Sequence, residues 1–535
     1  MTTMDIGSNV AFRQQGRLTK LSAYAVHGAI AALALCVLAL FARIMTYPLQ
    51  HDEQFYVSAG ILMDRYSLYQ DLGFSHLPNI ALLFSGAFAL LGDTHYLLIG
   101  RLIVFACWIA TIAALLLLAR DYVRSLLVGS LMVAFVLLNP MFLNATGMAA
   151  TNNFMPVPFA LFGLYLFLRA TDRVPASAAL AFASGVLLAI AAGFKANYAL
   201  LLLPFGLAAL LAPPCIPLAQ RLRLIALPML AGGLIGGLPT IIYALEDMKG
   251  FIVHVLDFQR GPQLGYWATH ADPADPKVIA IGDKLLLAHR LWLSGVSMLM
   301  IVTLLSFAAI AISRRSPLLR WPVLLVAAIA ALGTLLAFVP SPSFPQYFTP
   351  ALPFLAVLIG LVFGAFDGEG RRLAQPLIVS ILLLTGVTGA PLLLPSLTGL
   401  VKPAGWTGLR VARDGREIAT IIRARSADGP VATLSPLHAL EGGLPIYPHF
   451  ALGPFVYRAT PWIREDHRRY FTYFVTADTI PALLASQSPA AIMTGIERGT
   501  DAPLERFAQQ NGYQAITMSL KKTEDGEVVR LYLSN

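Results

Sequence analysis

Asp52 and Glu53 stand just beyond an apolar stretch, from about Leu21 to Tyr47, that is long enough to cross a bilayer. A carboxylate at that boundary suits two kinds of chemistry. It can take a proton from a reacting hydroxyl, or it can hold a metal or phosphate site at the depth of a lipid head group. A plainer role is open too: Asp is a good N-cap, and Glu in a first turn favours the positive end of a helix. Downstream, His76 precedes Leu77-Pro78. It reads either as a turn residue or as a ligand or donor to a phosphate. Between these points Phe55, Ala59, Leu62, Met63 and Tyr66 share one helical face, with Asp64 and Arg65 off it. That pattern predicts an amphipathic helix lying in the interface plane.

The elements that carry these residues are apolar. The chain has 535 residues, 57% hydrophobic and 13% charged, with a mean hydropathy of +0.69. The excess sits in continuous runs of about 20 residues, without period-2 alternation, so the expected fold class is an all-α polytopic membrane bundle rather than a β-barrel. Twelve apolar segments can be traced, near 21–46, 79–97, 101–119, 125–145, 155–170, 177–193, 196–212, 224–246, 293–313, 321–339, 349–366 and 376–396. Short loops bearing Arg120/Arg124, Arg169/Arg173, Arg221/Arg223, Arg314/Arg315/Arg320 and Arg371/Arg372 are assigned to the cytoplasm with the N-terminal segment 1–20 and its Arg13, Arg17 and Lys20. An inside N-terminus and an outside tail need an odd number of crossings. Asn79–Leu97 is the segment expected not to cross, which leaves about 11 transmembrane helices, or 13 if one is split. The first run is read as a retained anchor, being too long for a signal sequence.

The transmembrane domain spans 21–397, with extracytoplasmic loops 46–78 and 246–290. Residues 398–535 form a small α/β domain in which Val431–Leu434, Ala490–Met493 and Val528–Leu533 read as strands. The net charge of +9 is explained by loop orientation and anionic lipid, so no nucleic-acid partner is implied. Cys36, Cys107 and Cys215 imply neither a disulfide framework nor a zinc cluster.

The order of these pieces resembles the GT-C glycosyltransferases, closest to the protein O-mannosyltransferase, aminoarabinose transferase and rhizobial galacturonosyltransferase-like group. A first helix is followed by Asp52-Glu53 and aromatics, then by Tyr69-Gln70-Asp71 and His76-Leu77-Pro78. Gly193-Phe194-Lys195-Ala196-Asn197-Tyr198 resembles the family's lysine-containing step. Phe344-Pro345-Gln346-Tyr347-Phe348-Thr349-Pro350 resembles its late outer turn. The likeness covers about residues 20–400. It implies inverting transfer of a sugar from a polyprenyl-phosphate donor to an extracytoplasmic lipid, polysaccharide or protein acceptor, at a bacterial inner membrane. The catalytic carboxylates would be Asp52 and Glu53. Substrate contacts would come from His76, Asn152, Asn153, Lys195, Arg260, Gln346 and Tyr347, with Lys277 as a further candidate for the departing phosphate. Asn152 and Asn153 stand where relatives often carry an acidic residue, and Gln346 where they carry histidine. Asp52 is therefore the only plausible ligand should a divalent cation serve as cofactor.

Each of these residues has a structural reading as well. Lys195 can snorkel to the interface. Asn152 and Asn153 can cap the following helix. Gln346 and Tyr347 can belong to an aromatic belt. In the second loop His254, Asp257, Arg260, Tyr266, Trp267 and His270 suit sugar stacking, or any ordered interfacial loop. In the tail, Glu441, Tyr447, His449 and Arg458 surround a Gly/Pro-rich stretch; turns explain its glycines and prolines, and no catalysis is assigned there. The competing function is a transporter or flippase for a lipid-linked or polar solute. Unmatched halves and acidic residues at loops rather than within spans argue against it. A non-catalytic envelope scaffold is the third reading.

Overall fold

In a computed structural model of the chain, each of the twelve apolar segments carries a helix. Hydrocarbon offers no water to satisfy backbone N–H and C=O groups, so each segment bonds to itself. The structure describes Gly28 and residues 31–92, 94–172, 175–270, 278–425, 429–497, 499–518 and 528–534. The 1–20 segment, Asp93, Arg173 and Lys277 lie outside the described residues.

The helices are α1 (Ala31–Thr46), α2 (His51–Leu62), α3 (Asn79–Leu91), α4 (Tyr96–Leu118), α5 (Leu126–Leu137), α6 (Pro156–Thr171), α7 (Ala178–Phe194), α8 (Asn197–Leu211) and α9 (Leu218–Gly236). After these come α10 (Pro262–Thr269), a 12-residue helix over Ile281–Trp292, α11 (Gly295–Ser313), α12 (Trp321–Leu336), α13 (Ala351–Gly364) and α14 (Gly368–Leu393). Four helical stretches among the described residues are long and apolar enough to cross a membrane, or five if α1 and α2 are one span bent by 81°. The others are shorter. The 13-residue α3 is about 20 Å long, less than the ~30 Å hydrocarbon layer.

Close packing depends on glycine where helices touch. A Cβ on Gly185 of α7 would overlap the Met229 carbonyl of α9, and one on Gly232 would overlap the Phe182 carbonyl. At one end of the bundle the basic loops share acidic partners. Arg120 and Arg169 both pair with Asp121, and Arg314 pairs with Asp367 and Glu369. The two groups are brought together by α13, whose Gly364 packs on the Tyr122 carbonyl.

The C-terminal region is the expected small α/β unit. It runs α15 (Thr407–Ala424), β1 (Val431–Thr433), α16 (Pro436–Glu441), β2 (Ala491–Thr494), β3 (Gln514–Met518) and β4 (Val529–Leu533), with further helices over Ile480–Ser486 and Ala502–Gln510 and shorter turns between. The sheet order is β1-β2-β4-β3, with β1 parallel to β2 and the other pairs antiparallel. The edge strand β3, unforeseen in the sequence, is exposed over most of its length and so lacks a buried apolar run.

One expectation for the first loop is corrected. The helix meant for the interface plane is α2. It is buried almost all round, with Glu53, Gln54 and Ser58 as enclosed as Phe55, Ala59 and Leu62. Its polar residues are not on a wet face: α4 holds Glu53 and α16 holds Gln54, while Ser58 Oγ is buried without a described partner.

Candidate active site

The cap at the start of α2 goes to Gln50 rather than to Asp52. Glu53 reaches back and accepts from the Gln50 N–H at 2.9 Å. This frees the Asp52 carboxylate, which projects into a cavity of about 770 Å³. Asp52 is surrounded by protein yet partly exposed, and the space it is exposed to is the cavity it lines. Among the described residues it makes no hydrogen bond or ion pair. Burial raises its pKa above the ordinary carboxylate value, and the positive charges of His51 when protonated, of Arg458 and of Lys195 pull it back.

Lys195 follows α7, in extended conformation at its C-cap. It does not snorkel: only 8% of it is exposed, and it lines the same cavity. Its ammonium donates to Asn153 Oδ1 at 2.5 Å and lies 5.1 Å from the centre of the Tyr347 ring. Burial pushes its pKa down to about 7, with Asp52 opposing. Asn153 is held by Thr151, and Asn152 donates to the Phe194 carbonyl at 3.3 Å. Neither caps α6, whose N-cap is Met155. His76 also faces the cavity, and burial together with Lys195 lowers its pKa to about 3, so it is neutral. Gln346 and Tyr347 enter from a single 3-10 turn, and burial raises the Tyr347 pKa to about 12.

Two expected residues stand apart from this cavity. Glu53 is 0% exposed and its carboxylate is fully engaged. Oε1 accepts from Arg101 Nε at 2.9 Å and Ala150 N at 2.8 Å, and Oε2 accepts from Arg101 Nη2 at 2.7 Å and Gln50 N. With no lone pair left for a substrate proton, its expected catalytic role becomes a structural one. Arg260 ends the short helix Phe258–Arg260, is exposed, and does not line the cavity, because that helix turns its other face inward through Phe258 and Gln259. In the second loop Tyr266, Trp267 and His270 reach the cavity, whereas His254 bonds to the Tyr470 carbonyl.

The tail supplies residues that had no assigned role in the sequence. Arg458 lies 4.7, 5.1 and 4.8 Å from the ring centres of Tyr266, Trp267 and Phe455. Its Nη1 donates toward His51 Nε2 at 3.4 Å. That makes Nε2 the acceptor, so the proton sits on Nδ1, which faces Glu497 at 3.0 Å. Gln263 Oε1 and Trp267 Nε1 are buried in the lining without a described partner, and so are open to a ligand. Tyr56, one turn after Asp52, had a local signal: it shares the Asp52 face at i+4. Arg458 and Glu497 lie some 400 residues from His51, and no spacing announces them.

The donor set does not fit a protein-held divalent cation. Among the described residues no three His, Cys, Asp or Glu side chains converge as a metal site. His51 and Glu497 face each other, and Asp52 makes no contact with either that would complete a third ligand.

No protein-family model matches the chain, and no curated protein matches it. Solved structures do. The chain is similar to ArnT from Cupriavidus metallidurans bound to undecaprenyl phosphate, with 15% identity, a TM-score of 0.54, and coverage of 95% of this chain and 98% of that one. Against the apo state of the same protein the values are 16%, 0.56, 96% and 98%. At a TM-score of 0.44 and 11% identity it also resembles an Archaeoglobus fulgidus oligosaccharyltransferase in complex with Zn and sulfate, over 91% of this chain and 72% of that one. A membrane bundle of apolar helices with a small C-terminal sheet, matched along nearly its whole length, makes this chain a membrane protein of the GT-C fold.

Proposed function

We propose that the protein transfers a sugar from a polyprenyl-phosphate donor to an extracytoplasmic acceptor (a lipid, polysaccharide or protein), with inversion at the anomeric carbon. The observation that carries this is Asp52: a carboxylate without a described hydrogen-bond partner, exposed only to a cavity that also holds Lys195 and Arg458. A base must keep its lone pairs free until the substrate arrives, and a departing phosphate needs cations nearby. The likeness in fold to a protein solved with undecaprenyl phosphate supports that class of donor.

In this reading the acceptor hydroxyl attacks the anomeric carbon as the bond from that carbon to the phosphate oxygen breaks. The phosphate leaves with the electron pair, and Asp52 takes the hydroxyl proton. Lys195, aligned by Asn153 and Tyr347, neutralises the charge developing on the phosphate. One free carboxylate at the cavity suits a single displacement, since the other lining carboxylate, Glu497, is engaged with His51. The aromatic rings of Tyr266, Trp267 and Phe455 offer faces on which a sugar can stack. Gln346 and His76 are proposed as further sugar or phosphate contacts. The proposed setting is a bacterial inner membrane, with the N-terminus in the cytoplasm and the C-terminal domain in the periplasm.

The test is sugar transfer in membranes, comparing wild type with Asp52→Asn. Loss of general-base catalysis predicts a drop of about 10²–10⁴-fold at normal protein abundance. Transfer that survives the substitution removes Asp52 from the role. Protein-dependent solute flux without any sugar transfer favours a transporter instead.

A further inference from the structure

Three helices meet behind Asp52, and buried polar contacts join them in a closed cycle. Arg101 of α4 pairs with Glu53 of α2. Gln54 of α2 is 1% exposed, and its Oε1 accepts from the Leu437 N–H of α16 at 3.0 Å. Glu441, at the other end of α16, is 5% exposed, and its Oε1 accepts from the Leu97 N–H of α4 at 2.9 Å. Leu97 lies one turn before Arg101, so the third contact returns to the helix that began the first. A fourth contact braces the corner from outside: Thr407 Oγ1 donates to the Tyr47 carbonyl at 2.6 Å. The surfaces are close enough that a Cβ on Gly408 of α15 would lie 2.7 Å from Leu98 Cα of α4.

The residues beside Asp52 are each tied to a different element. His51 faces Glu497 of the C-terminal domain, Glu53 is held by α4, and Gln54 by α16. Two of these three anchors belong to the C-terminal domain. We propose that this domain is part of the catalytic apparatus, with Gln54 and Glu441 as positioning residues that hold the Asp52 helix in register against α4. The proposal rests on Asp52 being the base. Neither residue touches the cavity. They act through the backbone of α2 and the first turn of α4.

The physical argument is one of direction. Burying the Glu441 carboxylate is costly, and its Oε2 has no described partner. An apolar contact would join two surfaces at less cost. What a hydrogen bond adds is a fixed angle and register. A base displaced by about 1 Å loses on the order of 10²-fold in rate, so register here is worth more than adhesion.

The test uses the full-length protein in phospholipid nanodiscs, with hydrogen exchange and steady-state transfer measured on the same samples. Glu441→Ala and Gln54→Ala should speed exchange in residues 51–56, while α13 exchanges as in wild type. They should lower kcat by about tenfold or more, with KM for the lipid-linked sugar within about twofold. Glu441→Gln keeps the accepting oxygen and should restore both readouts. Unchanged exchange in α2 overturns the proposal, as does a rate loss that Glu441→Gln fails to recover. Should Asp52→Asn retain transfer, the reading of Asp52 as base fails, and the exchange measurement still decides whether the domain holds α2.

Discussion

Arg101 and Glu53 satisfy each other and their surroundings completely. The guanidinium has five N–H donors, and all five are used: Nε and one Nη2 hydrogen on Glu53, the other Nη2 hydrogen on the Pro48 carbonyl at 2.9 Å, and the two Nη1 hydrogens on Ile44 at 2.7 Å and Tyr47 at 2.6 Å. Three of these acceptors are carbonyls at the end of α1 and the turn after it, which the 81° bend leaves without helical partners. The pair therefore caps α1, turns the chain, and starts α2 with Asp52 facing the cavity. Through Ala150 N it also anchors the loop that carries Asn152 and Asn153.

Removing Arg101 leaves the buried Glu53 carboxylate without its countercharge and takes the donor from the Ile44 and Pro48 carbonyls. Arg101→Ala should cost about 3–5 kcal/mol of stability, seen as low abundance and a depressed thermal midpoint in detergent. Arg101→Lys should rescue little, since three donors on one nitrogen cannot reach acceptors arranged around a plane. Asp52→Asn should leave both readouts at wild type. Equal stability of Arg101→Ala and wild type would refute this account of the corner.

In the proposed reaction, with Asp52 as base and Lys195 as the cation for the phosphate, transfer should follow a bell-shaped pH profile. Asp52 acts deprotonated and its pKa is raised by burial, so kcat/KM should fall with acid at a pH above the ordinary 3.8 of an aspartate. Lys195 acts protonated and its pKa is lowered to about 7, so kcat/KM should fall again as pH rises through that value. A bound phosphate favours the ammonium form, which moves the alkaline limb of kcat above that of kcat/KM. Lys195→Arg keeps its charge throughout and should carry the alkaline limb upward. A limb that stays near 7 in that variant belongs to another group.

Arg458 joins the tail to the second loop by lying among three aromatic rings. Arg458→Ala should lower kcat/KM by about 10- to 100-fold, the loss expected for one hydrogen bond from a charged group. Arg458→Lys should recover only part, because an ammonium cannot stack as a plane. Wild-type transfer by the lysine variant would reduce Arg458 to a point charge.

The contact of α7 with α9 can be tested by a matched pair. Gly185→Ala forces a methyl into the Met229 carbonyl and should cost about 1–3 kcal/mol in a thermal-melt series. Gly233→Ala meets nothing nearer than 4.0 Å and should be neutral or slightly stabilising, as expected for alanine in a helix. Equal effects would mean that the two helices do not pack as described.

The sequence by itself determined the helices, the membrane class and the position of Asp52 beyond the first of them. Hydropathy is a local property, and a helix in hydrocarbon closes its own hydrogen bonds. Three of the four C-terminal strands were legible for a related reason: buried strands are short apolar runs, whereas exposed β3 is not. Asp52 was placed as the base by resemblance, with Glu53 as a second catalytic candidate; that Glu53 stays out of the cavity was not legible, because its partner Arg101 lies 48 residues on. Arg260 looked like a phosphate contact and stays outside, while Arg458, to which no catalytic role was assigned, enters the cavity. Such roles depend on which long-range neighbours supply charge, donors and walls, and only the folded chain brings those together.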